Sequence, residues 1–430
     1  MTKPLTALVI GAGDRGNAYG IHAQNAGLDI QIAGVADPIR DKRELMAERY
    51  HIPREMVFES GEEALEKRIP VDAVFITTPD KTHCNLAVLA LENGYNVLLE
   101  KPMATNPRDC ADIVTAQKES GKVLSICHVL RYAPFFQTIR EIVNSDELGR
   151  IQNIDLTEKI AYWHFAHSYV RGNWRREEDA SPIILAKSCH DLDIMLWLVG
   201  QDVKSVFSKG SLRFFDQKNA PKSSLERCAD GCSVSDCLFD ARKFYLDVNR
   251  TKNEEVRWPY SVISPTDLSE EGRKRAIEQG PYGRCVFKCD NNVCDSQDVL
   301  IEFENGVYAN FRLRSGGDAM TREIDAYFER GELIGDLRKG EICKKVYSGR
   351  KGEDRIEVID LKKIATGSHG GGDPLLLKGF IDAVKSGNKG CNLTSAEQSL
   401  QSHLLAFAAE ESRHSGQTVA FGDYKSRLLI

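Results

Sequence analysis

The chain has 430 residues, of which 42% are apolar and 28% are charged, and its formal net charge at pH 7 is −6. One hydrophobic core rarely supports a chain of this length, so the sequence predicts two domains. The mild negative charge, without any block of lysine and arginine, argues against a nucleic-acid or membrane surface and favours a small-molecule ligand. No apolar run is long enough to span a bilayer and no signal-peptide pattern precedes the first apolar segment, so a cytoplasmic protein is expected.

The first 130 residues alternate short apolar runs with helix-like stretches. The runs are rich in β-branched residues and apolar on both faces, as in buried parallel strands. They cover residues 6–10, 30–37, 73–78, 96–100 and 122–128, with helical patterns at 40–50, 84–93 and 107–120. This alternation predicts a first domain at 1–130 built on a doubly wound parallel α/β sheet with right-handed crossovers.

A different pattern begins after residue 130 and predicts a second α/β domain at 131–430. Segments 151–162, 299–313 and 322–336 alternate polar and apolar residues and are joined by glycine-containing turns, as in an open, mostly antiparallel sheet with one solvent-exposed face. Helices are expected after Asp373, taken as an N-cap, and at 395–415. Residues from about 216 to 293 are polar, contain many cysteines and show little periodicity, so they are interpreted as an insertion without a core of its own.

A glycine-rich turn follows the first predicted strand and opens a helix. Its residues are Gly11, Ala12, Gly13, Asp14, Arg15 and Gly16. In this position the glycines allow a tight turn, a close backbone approach to a pyrophosphate and close helix packing. Asp37 ends the second strand, where a carboxylate accepts hydrogen bonds from the adenosine ribose and disfavours a 2′-phosphate. The motif predicts a dinucleotide, with NAD favoured over NADP, although Arg40 and Arg43 leave NADP open.

Two further motifs follow the next strands of the first domain. Thr77-Thr78-Pro79-Asp80-Lys81-Thr82-His83 follows one strand, and Glu100-Lys101-Pro102 closes the next. Together with the glycine turn, these motifs resemble the glucose-fructose oxidoreductase / inositol dehydrogenase (Gfo/Idh/MocA) family, closely up to about residue 131. The resemblance implies a Rossmann domain followed by an α/β domain whose open sheet often forms the interface of a homo-oligomer, here a dimer or tetramer.

The resemblance also implies roles for individual residues of the first domain. Thr78, Pro79, His83, Glu100 and Lys101 are expected at the cofactor, and the proline after Lys101 is expected to be a candidate for a cis peptide. Lys101 would contact the reacting hydroxyl, because an ammonium can stabilise a developing alkoxide or relay its proton. The competing interpretation is that Glu100 and Lys101 form a surface ion pair.

A second part of the predicted site lies between residues 181 and 193. His190 aligns with the histidine that usually acts as general base in the family, and a histidine suits that task at physiological pH. Family members commonly have an aspartate four residues earlier, where this chain has Ala186 followed by Lys187. His190 would then work alone, with Lys187, or oriented by Asp191 or Asp193; a purely structural histidine is the alternative.

The segment from residue 162 to 176 is dense in aromatic residues, histidine and arginine. Aromatic faces stack on sugar rings, while arginine and histidine reach hydroxyls or an acidic substituent. The substrate candidates are therefore Trp163, His164, His167, Arg171 and Trp174, although the tryptophans could equally belong to the core. His369 is a weaker candidate for the rim of the site.

Two cysteine triplets of identical spacing lie in the insertion, at 228, 232 and 237 and at 285, 289 and 294. Four thiolates from two short segments are typical of structural zinc. The leading prediction is zinc held by Cys232, Cys237, Cys285 and Cys289, with an iron–sulfur cluster, free thiols or disulfides as alternatives.

Three functions are compatible with these motifs. The first is an NAD-dependent oxidoreductase that exchanges a hydride with a hydroxyl of a sugar, cyclitol or glycoside. The second is a glycosidase or lyase that keeps its NAD and acts through a transient keto-sugar, to which the replacement of the aspartate by Ala186 and the presence of Lys187 draw attention. The third is a dinucleotide-sensing binding protein.

Overall fold

The computed structural model describes residues 3–247, 258–387 and 392–428. Residues 248–257 of the predicted insertion lie outside these ranges, as do residues 1–2 of the first predicted domain and residues 388–391 and 429–430 of the second. Within the described ranges the strands form two sheets, one of six strands and one of nine. No helix in these ranges has both the length and the apolar character needed to cross a bilayer.

The N-terminal sheet is parallel throughout, which confirms the predicted doubly wound fold. Its strand order is β3-β2-β1-β4-β5-β6. The elements are β1 (Leu5–Ile10), α1 (Asp14–Asn25), β2 (Ile30–Ala36), α2 (Arg40–Tyr50), β3 (Val57–Phe58), α3 (Gly61–Glu66), β4 (Ala73–Ile76), α4 (His83–Glu92), β5 (Asn96–Leu99), α5 (Pro107–Ser120) and β6 (Leu124–Ile126). The order reverses between β1 and β4, and ligands of such sheets bind outside the carboxyl ends of the strands at that point.

The C-terminal sheet is mixed but mostly antiparallel, as expected. Its order is β14-β13-β12-β11-β7-β10-β9-β8-β15, and among its neighbouring strands only β7 and β10 run parallel within the described part of the chain. The strands are β7 (Ile151–Ala161), β8 (Val203–Ser211), β9 (Ser296–Phe303), β10 (Tyr308–Gly317), β11 (Thr321–Phe328), β12 (Gly331–Asp336), β13 (Glu341–Val346), β14 (Arg355–Asp360) and β15 (Val419–Ala420).

The helices of the second half have different packing partners: some pack on this sheet, one packs on α1 of the first domain, and those of the insertion pack on one another. They are α6 (Pro134–Asn144), α7 (Tyr162–Phe165), α8 (Ile183–Ala186), α9 (Cys189–Val199), α10 (Ala241–Tyr245), α11 (Tyr260–Ile263), α12 (Glu270–Gln279), α13 (Gly372–Ser386), α14 (Ala396–Ser415) and α15 (Phe421–Leu428). Leu376, Leu377 and Phe380 of α13 share one buried cluster with residues of α1 and α2. A helix late in the sequence thus covers the Rossmann sheet near the glycine turn.

Two sequence-based interpretations of the second half are wrong. The insertion does have regular structure, in α10, α11 and α12, and a small core of its own around Tyr245, Tyr260 and Ile277. Its helices are short, so the sequence contains no long periodic pattern that would predict them. Asp373 is also not an N-cap: α13 begins at Gly372, and the Asp373 carboxylate instead accepts hydrogen bonds within a buried network.

Candidate active site

The glycine turn between β1 and α1 has the shape that a bound dinucleotide requires. Gly11 has a φ of +98°, a conformation that side chains rarely tolerate. A Cβ at Gly16 would lie 2.3 Å from the Gly11 carbonyl oxygen, so only glycine allows α1 to approach the strand. A Cβ at Gly13 would meet nothing within 4 Å among the described residues, so that backbone borders open space at the helix N-terminus. The turn therefore fits a pyrophosphate.

Asp37 follows β2 and is held in position beside this turn. It is 6% exposed, and its carboxylate accepts hydrogen bonds from the backbone N–H groups of Ala12 and Ile39, both at 2.8 Å. Each carboxylate oxygen keeps a free lone pair for a ribose hydroxyl. The Arg43 guanidinium binds the Glu59 carboxylate at 2.8 Å and the backbone carbonyl oxygen of Asp37 at 3.2 Å.

The motif after β4 is tied to the turn after β5. The His83 ring nitrogens lie 2.7 Å from the carbonyl oxygen of Pro102 and 2.9 Å from that of Thr78. Pro79 begins the short turn that joins Thr78 to His83, and the Lys101-Pro102 peptide is cis. These contacts place His83 between the two loops, where it supports the position of Lys101.

Glu100 and Lys101 point to different partners and do not form a surface ion pair with each other. The Glu100 carboxylate is buried and accepts hydrogen bonds from Arg15 Nε and the Tyr19 hydroxyl, both at 2.7 Å. Lys101 Nζ donates to the carbonyl oxygen of Ala186 at 2.8 Å. The ammonium therefore joins the carboxyl edge of the Rossmann sheet to the segment that precedes α9.

A charged network extends from Glu100 into the second half of the chain. Arg15 Nη2 donates to the Asp373 carboxylate at 2.7 Å, and Asp373 lies 2.9 Å from His369 Nδ1. Burial alone would raise the pKa of Asp373, but Arg15 and His369 hold it well below its usual range. In this arrangement the Arg15 guanidinium is engaged by two protein carboxylates, those of Glu100 and Asp373.

His190 is the second residue of α9 and is 2% exposed. Burial, followed by the nearby charge of Lys101, lowers the pKa of His190 well below its usual value, so the imidazole is neutral. Its Nδ1 has no hydrogen-bond partner among the described residues. Neither candidate aspartate orients it: Asp193 pairs with Arg131 at 2.6 Å and Asp191 with Arg322 at 2.9 Å.

Lys187 belongs to a second buried cluster of charges. Its Nζ lies 3.7 Å from Glu158 Oε1, which Arg322 Nη2 contacts at 2.5 Å. Burial lowers the pKa of Lys187 to about 8, against the opposing effect of Glu158. Burial also raises the pKa of Asp191, which neighbours Glu158, to about 7. Burial thus shifts the pKa values of both groups toward physiological pH, a shift that is common at acid–base sites.

The predicted substrate segment folds as α7 followed by one turn of π-helix over residues 166–171. Trp163 stacks on Phe244 with ring centroids 5.5 Å apart, and His164 Nδ1 lies 2.6 Å from the sulfur of Met320. His167 Nδ1 lies 2.8 Å from the Tyr245 hydroxyl. Two of these partners, Phe244 and Tyr245, come from the insertion, as does Trp258, whose ring centroid lies 5.5 Å from that of Trp163, so the insertion forms a wall beside the segment.

The last two substrate candidates are engaged by other parts of the protein. Arg171 donates to the carbonyl oxygens of Arg284 at 2.8 Å and Phe239 at 2.7 Å, so its guanidinium anchors the insertion. Trp174 Nε1 donates to the Asp80 carboxylate at 3.2 Å, which links the substrate segment to the loop after β4.

The predicted metal ligands divide into two groups. Cys232, Cys237 and Cys285 line one recess of the insertion, together with Cys228. Cys289 instead has its Sγ 3.3 Å from the Cys285 carbonyl oxygen and is not among the residues that line the recess.

Several residues of the site were not identified from the sequence. Glu158 on β7 and Arg322 on β11 are direct cross-strand partners. Their strands were predicted, but the pairing register was not, and only the register brings the two charges together. Ser261 of the insertion donates to the Asp14 carboxylate at 3.0 Å, a contact between residues 247 positions apart that no local pattern indicates.

Comparisons with known proteins agree with this architecture. Residues 5–128 match the model of the oxidoreductase family with an NAD-binding Rossmann fold, and residues 140–421 match the C-terminal alpha/beta domain of the same family. YteT of Bacillus subtilis (strain 168) is 24% identical over 364 residues, which cover 80% of this chain and 79% of YteT. Inositol 2-dehydrogenase of Rubrobacter xylanophilus is 28% identical over 212 residues, 47% of this chain and only 54% of that enzyme.

Solved structures share the fold over nearly the whole chain. A levoglucosan dehydrogenase, solved with NADH and levoglucosan, is 15% identical and superimposes with a TM-score of 0.70, covering 97% of this chain and 99% of its own. An Agrobacterium radiobacter oxidoreductase, solved with NAD+, L-tartaric acid and magnesium, has 16% identity, a TM-score of 0.68 and coverage of 98% and 99%. With both family domains matched in order and the glycine turn fitted to a dinucleotide, this chain belongs to the Gfo/Idh/MocA family of NAD-binding oxidoreductases.

Proposed function

We propose that this protein transfers a hydride between NAD and a hydroxyl-bearing carbon of a sugar, cyclitol or glycoside. The observation that carries the proposal is the hydrogen bond between Lys101 Nζ and the Ala186 carbonyl oxygen. It connects the ammonium at the carboxyl end of β5 with the segment that holds Lys187 and His190. This edge of a parallel sheet is where such folds bind their ligands. When bound, NAD supplies the hydride acceptor or donor.

The side chains have to manage a proton and a developing negative charge. Lys101 donates a hydrogen bond to the reacting oxygen and stabilises its charge. Lys187 accepts the proton, because a pKa of about 8 makes it a base that works near physiological pH. His190, kept neutral by burial, accepts a hydrogen bond from the substrate hydroxyl and orients it. Lys187 thus takes the place of the aspartate that the family resemblance leads one to expect at Ala186.

NAD is the preferred coenzyme in this proposal. In this fold a carboxylate that follows the second strand binds the adenosine ribose hydroxyls, and the Asp37 carboxylate after β2 would do so and repel a 2′-phosphate. Arg43 is already engaged by Glu59 and two backbone carbonyls, so it does not offer a free cation for that phosphate.

A polyhydroxylated substrate is supported by a wall of aromatic rings at the predicted substrate segment. Trp163 and Trp258, 5.5 Å apart, present aromatic surface, and the His164 ring packs 4.9 Å from that of Trp258. Burial, followed by the charge of Lys187, lowers the pKa of His164. Such a wall suits the apolar face of a sugar or cyclitol ring. The names of two similar proteins, an inositol 2-dehydrogenase and a levoglucosan dehydrogenase, support the same class of substrate.

We also propose that the open sheet forms the interface of a homo-oligomer. One face of the nine-stranded sheet exposes a row of large apolar side chains at Leu300, Tyr308, Tyr327, Ile334, Ile356 and Val358. Exposed apolar patches of this kind commonly mark protein interfaces.

The test is a panel of monosaccharides, cyclitols and glycosides assayed with NAD and with NADP. Net NADH formation from at least one polyol is expected, and Lys101→Ala should lower kcat about 100-fold or more. Lys118→Ala, which removes an exposed lysine of α5 paired with Glu397, is the matched control and should leave kcat unchanged. Product formation from a glycoside without net NADH would contradict the simple dehydrogenase and favour the NAD-retaining alternative.

A further inference from the structure

His369 is held in an unusual backbone conformation next to the buried network of Arg15. It lies in the segment that connects β14 to α13, and its φ of +52° falls in the left-handed region. Gly370 and Gly371 follow with φ values of +60° and +84°. Residues other than glycine seldom adopt this conformation, and those that do are concentrated at functional sites. The fold therefore fixes the position of the His369 side chain despite an unfavourable backbone.

The Asp373 carboxylate fixes the proton on the His369 ring. Its Oδ2 lies 2.9 Å from His369 Nδ1, and Asp373 is 1% exposed. Although burial opposes it, Arg15 keeps the pKa of the Asp373 carboxyl well below its usual range, so the carboxylate accepts and Nδ1 donates. Burial lowers the pKa of His369 below its usual value, against the opposing effect of Asp373. The imidazole is thus neutral, and its Nε2 is a hydrogen-bond acceptor.

His369 and His190 form a pair of imidazoles from distant parts of the chain. Their ring centroids are 6.0 Å apart, and their planes are inclined by 51°. The His369 side chain is 24% exposed, and its Nε2 has no hydrogen-bond partner among the described residues. Of the two His190 ring nitrogens, only Nδ1 is shut off from solvent without a partner. Each ring therefore has one acceptor nitrogen, Nε2, that a ligand can reach.

We propose that His369 determines substrate specificity by accepting a hydrogen bond from a second hydroxyl, on a carbon next to the one that is oxidised. This inference rests on the proposed function, in which His190 accepts a hydrogen bond from the reacting hydroxyl. Two imidazoles 6.0 Å apart can each reach one of two neighbouring hydroxyls with hydrogen bonds of ordinary length. The substrate class is thereby narrowed to polyols that carry two adjacent hydroxyls.

The fixed ring explains why the second hydroxyl affects the rate. Since Nδ1 is engaged by Asp373, the His369 ring cannot turn to present an N–H group to a substrate that lacks this hydroxyl. An analogue without it would leave Nε2 without a partner in the closed complex. A site that hydrogen-bonds a substrate hydroxyl discriminates against the analogue that lacks it, because its own polar group is then left unpaired.

The test uses the polyol that gives the highest rate in the panel, together with its monodeoxy analogues that each lack one hydroxyl next to the oxidised carbon. In the wild-type enzyme, kcat/KM for at least one analogue should be about 10- to 100-fold below that for the parent polyol. His369→Asn introduces a residue that tolerates the left-handed backbone but is too short to replace the imidazole. It should lower kcat/KM for the parent by a similar factor and leave that for the analogue nearly unchanged.

A matched control and a second variant complete the design. His51 is an exposed histidine with the same left-handed backbone, at a φ of +53°, and His51→Asn should leave kcat/KM for parent and analogue unchanged. His369→Ala should give the same pattern as His369→Asn and serves if the asparagine variant does not fold.

The other outcomes overturn the inference and separate it from the proposed function. Equal kcat/KM of the wild-type enzyme for the parent and all analogues would show, without any variant, that no second hydroxyl is recognised. An equal loss for parent and analogues in His369→Asn, together with a higher KM for NAD, would show that His369 only supports Arg15. A folded variant that keeps the wild-type discrimination would also contradict the inference. In each of these cases the proposed function survives, whereas the absence of NADH formation from any polyol would refute both.

Discussion

Lys187 offers the sharpest prediction about the mechanism, because its pKa sets the pH dependence of the reaction. With a pKa of about 8, roughly one Lys187 in eleven is neutral at pH 7 and about ten in eleven at pH 9. With the ordinary value of 10.5, fewer than about one in a thousand would be neutral at pH 7. If neutral Lys187 accepts the proton, kcat for oxidation should rise about tenfold between pH 7 and pH 9.

The assay is the initial rate of NADH formation with the substrate found in the panel, across this pH range. Lys187→Met should lose this pH dependence together with most of kcat, because methionine fills similar space but cannot take a proton. Glu158→Gln removes the carboxylate that opposes the lowering of the Lys187 pKa. Its profile should therefore move to lower pH. A wild-type rate that is flat with pH, or a Lys187→Met enzyme with the wild-type profile, would refute Lys187 as the base.

Three further predictions concern the coenzyme, stability and assembly. Asp37→Ser removes the ribose partner and the charge that repels a 2′-phosphate, so KM for NAD should rise about tenfold and the use of NADP should improve, as steady-state kinetics would show. Arg322→Met removes the guanidinium that pairs with the carboxylates of Asp191 and Glu158, and it should lower the free energy of unfolding by about 3–5 kcal/mol. In this variant the pKa of Asp191, already raised by burial, rises further because Arg322 no longer lowers it. A group whose pKa is higher in the folded than in the unfolded state costs stability as the pH rises through the folded-state value. Urea unfolding should therefore show a larger loss of stability at alkaline than at mildly acidic pH, and equal losses would count against this account. Ile356→Lys on the exposed sheet face should dissociate the oligomer in light scattering, and a wild-type monomer would contradict that interface.

Much of the site could be predicted from the sequence because its signals are local. The glycine turn, Asp37 after β2 and Lys101 after β5 each follow a buried parallel strand, and strands of this kind are recognised from short apolar runs. Since all six strands of the sheet run parallel, residues after their carboxyl ends must lie along one edge. Fold class, coenzyme class and the position of Lys101 thus depend on patterns that span only a few residues.

Only the tertiary structure decided which charges meet. Arg15 and Asp373 are separated by 358 positions, yet they share a hydrogen bond of 2.7 Å because α13 packs beside α1. The Glu158–Arg322 pair likewise depends on the register of β7 and β11. Which cysteines line one recess of the insertion, Cys228 but not Cys289, depends on how the insertion folds. Such contacts arise from packing between distant segments, and burial then sets the pKa values of the charged groups. Neither the contacts nor the pKa values can be predicted from the local sequence pattern.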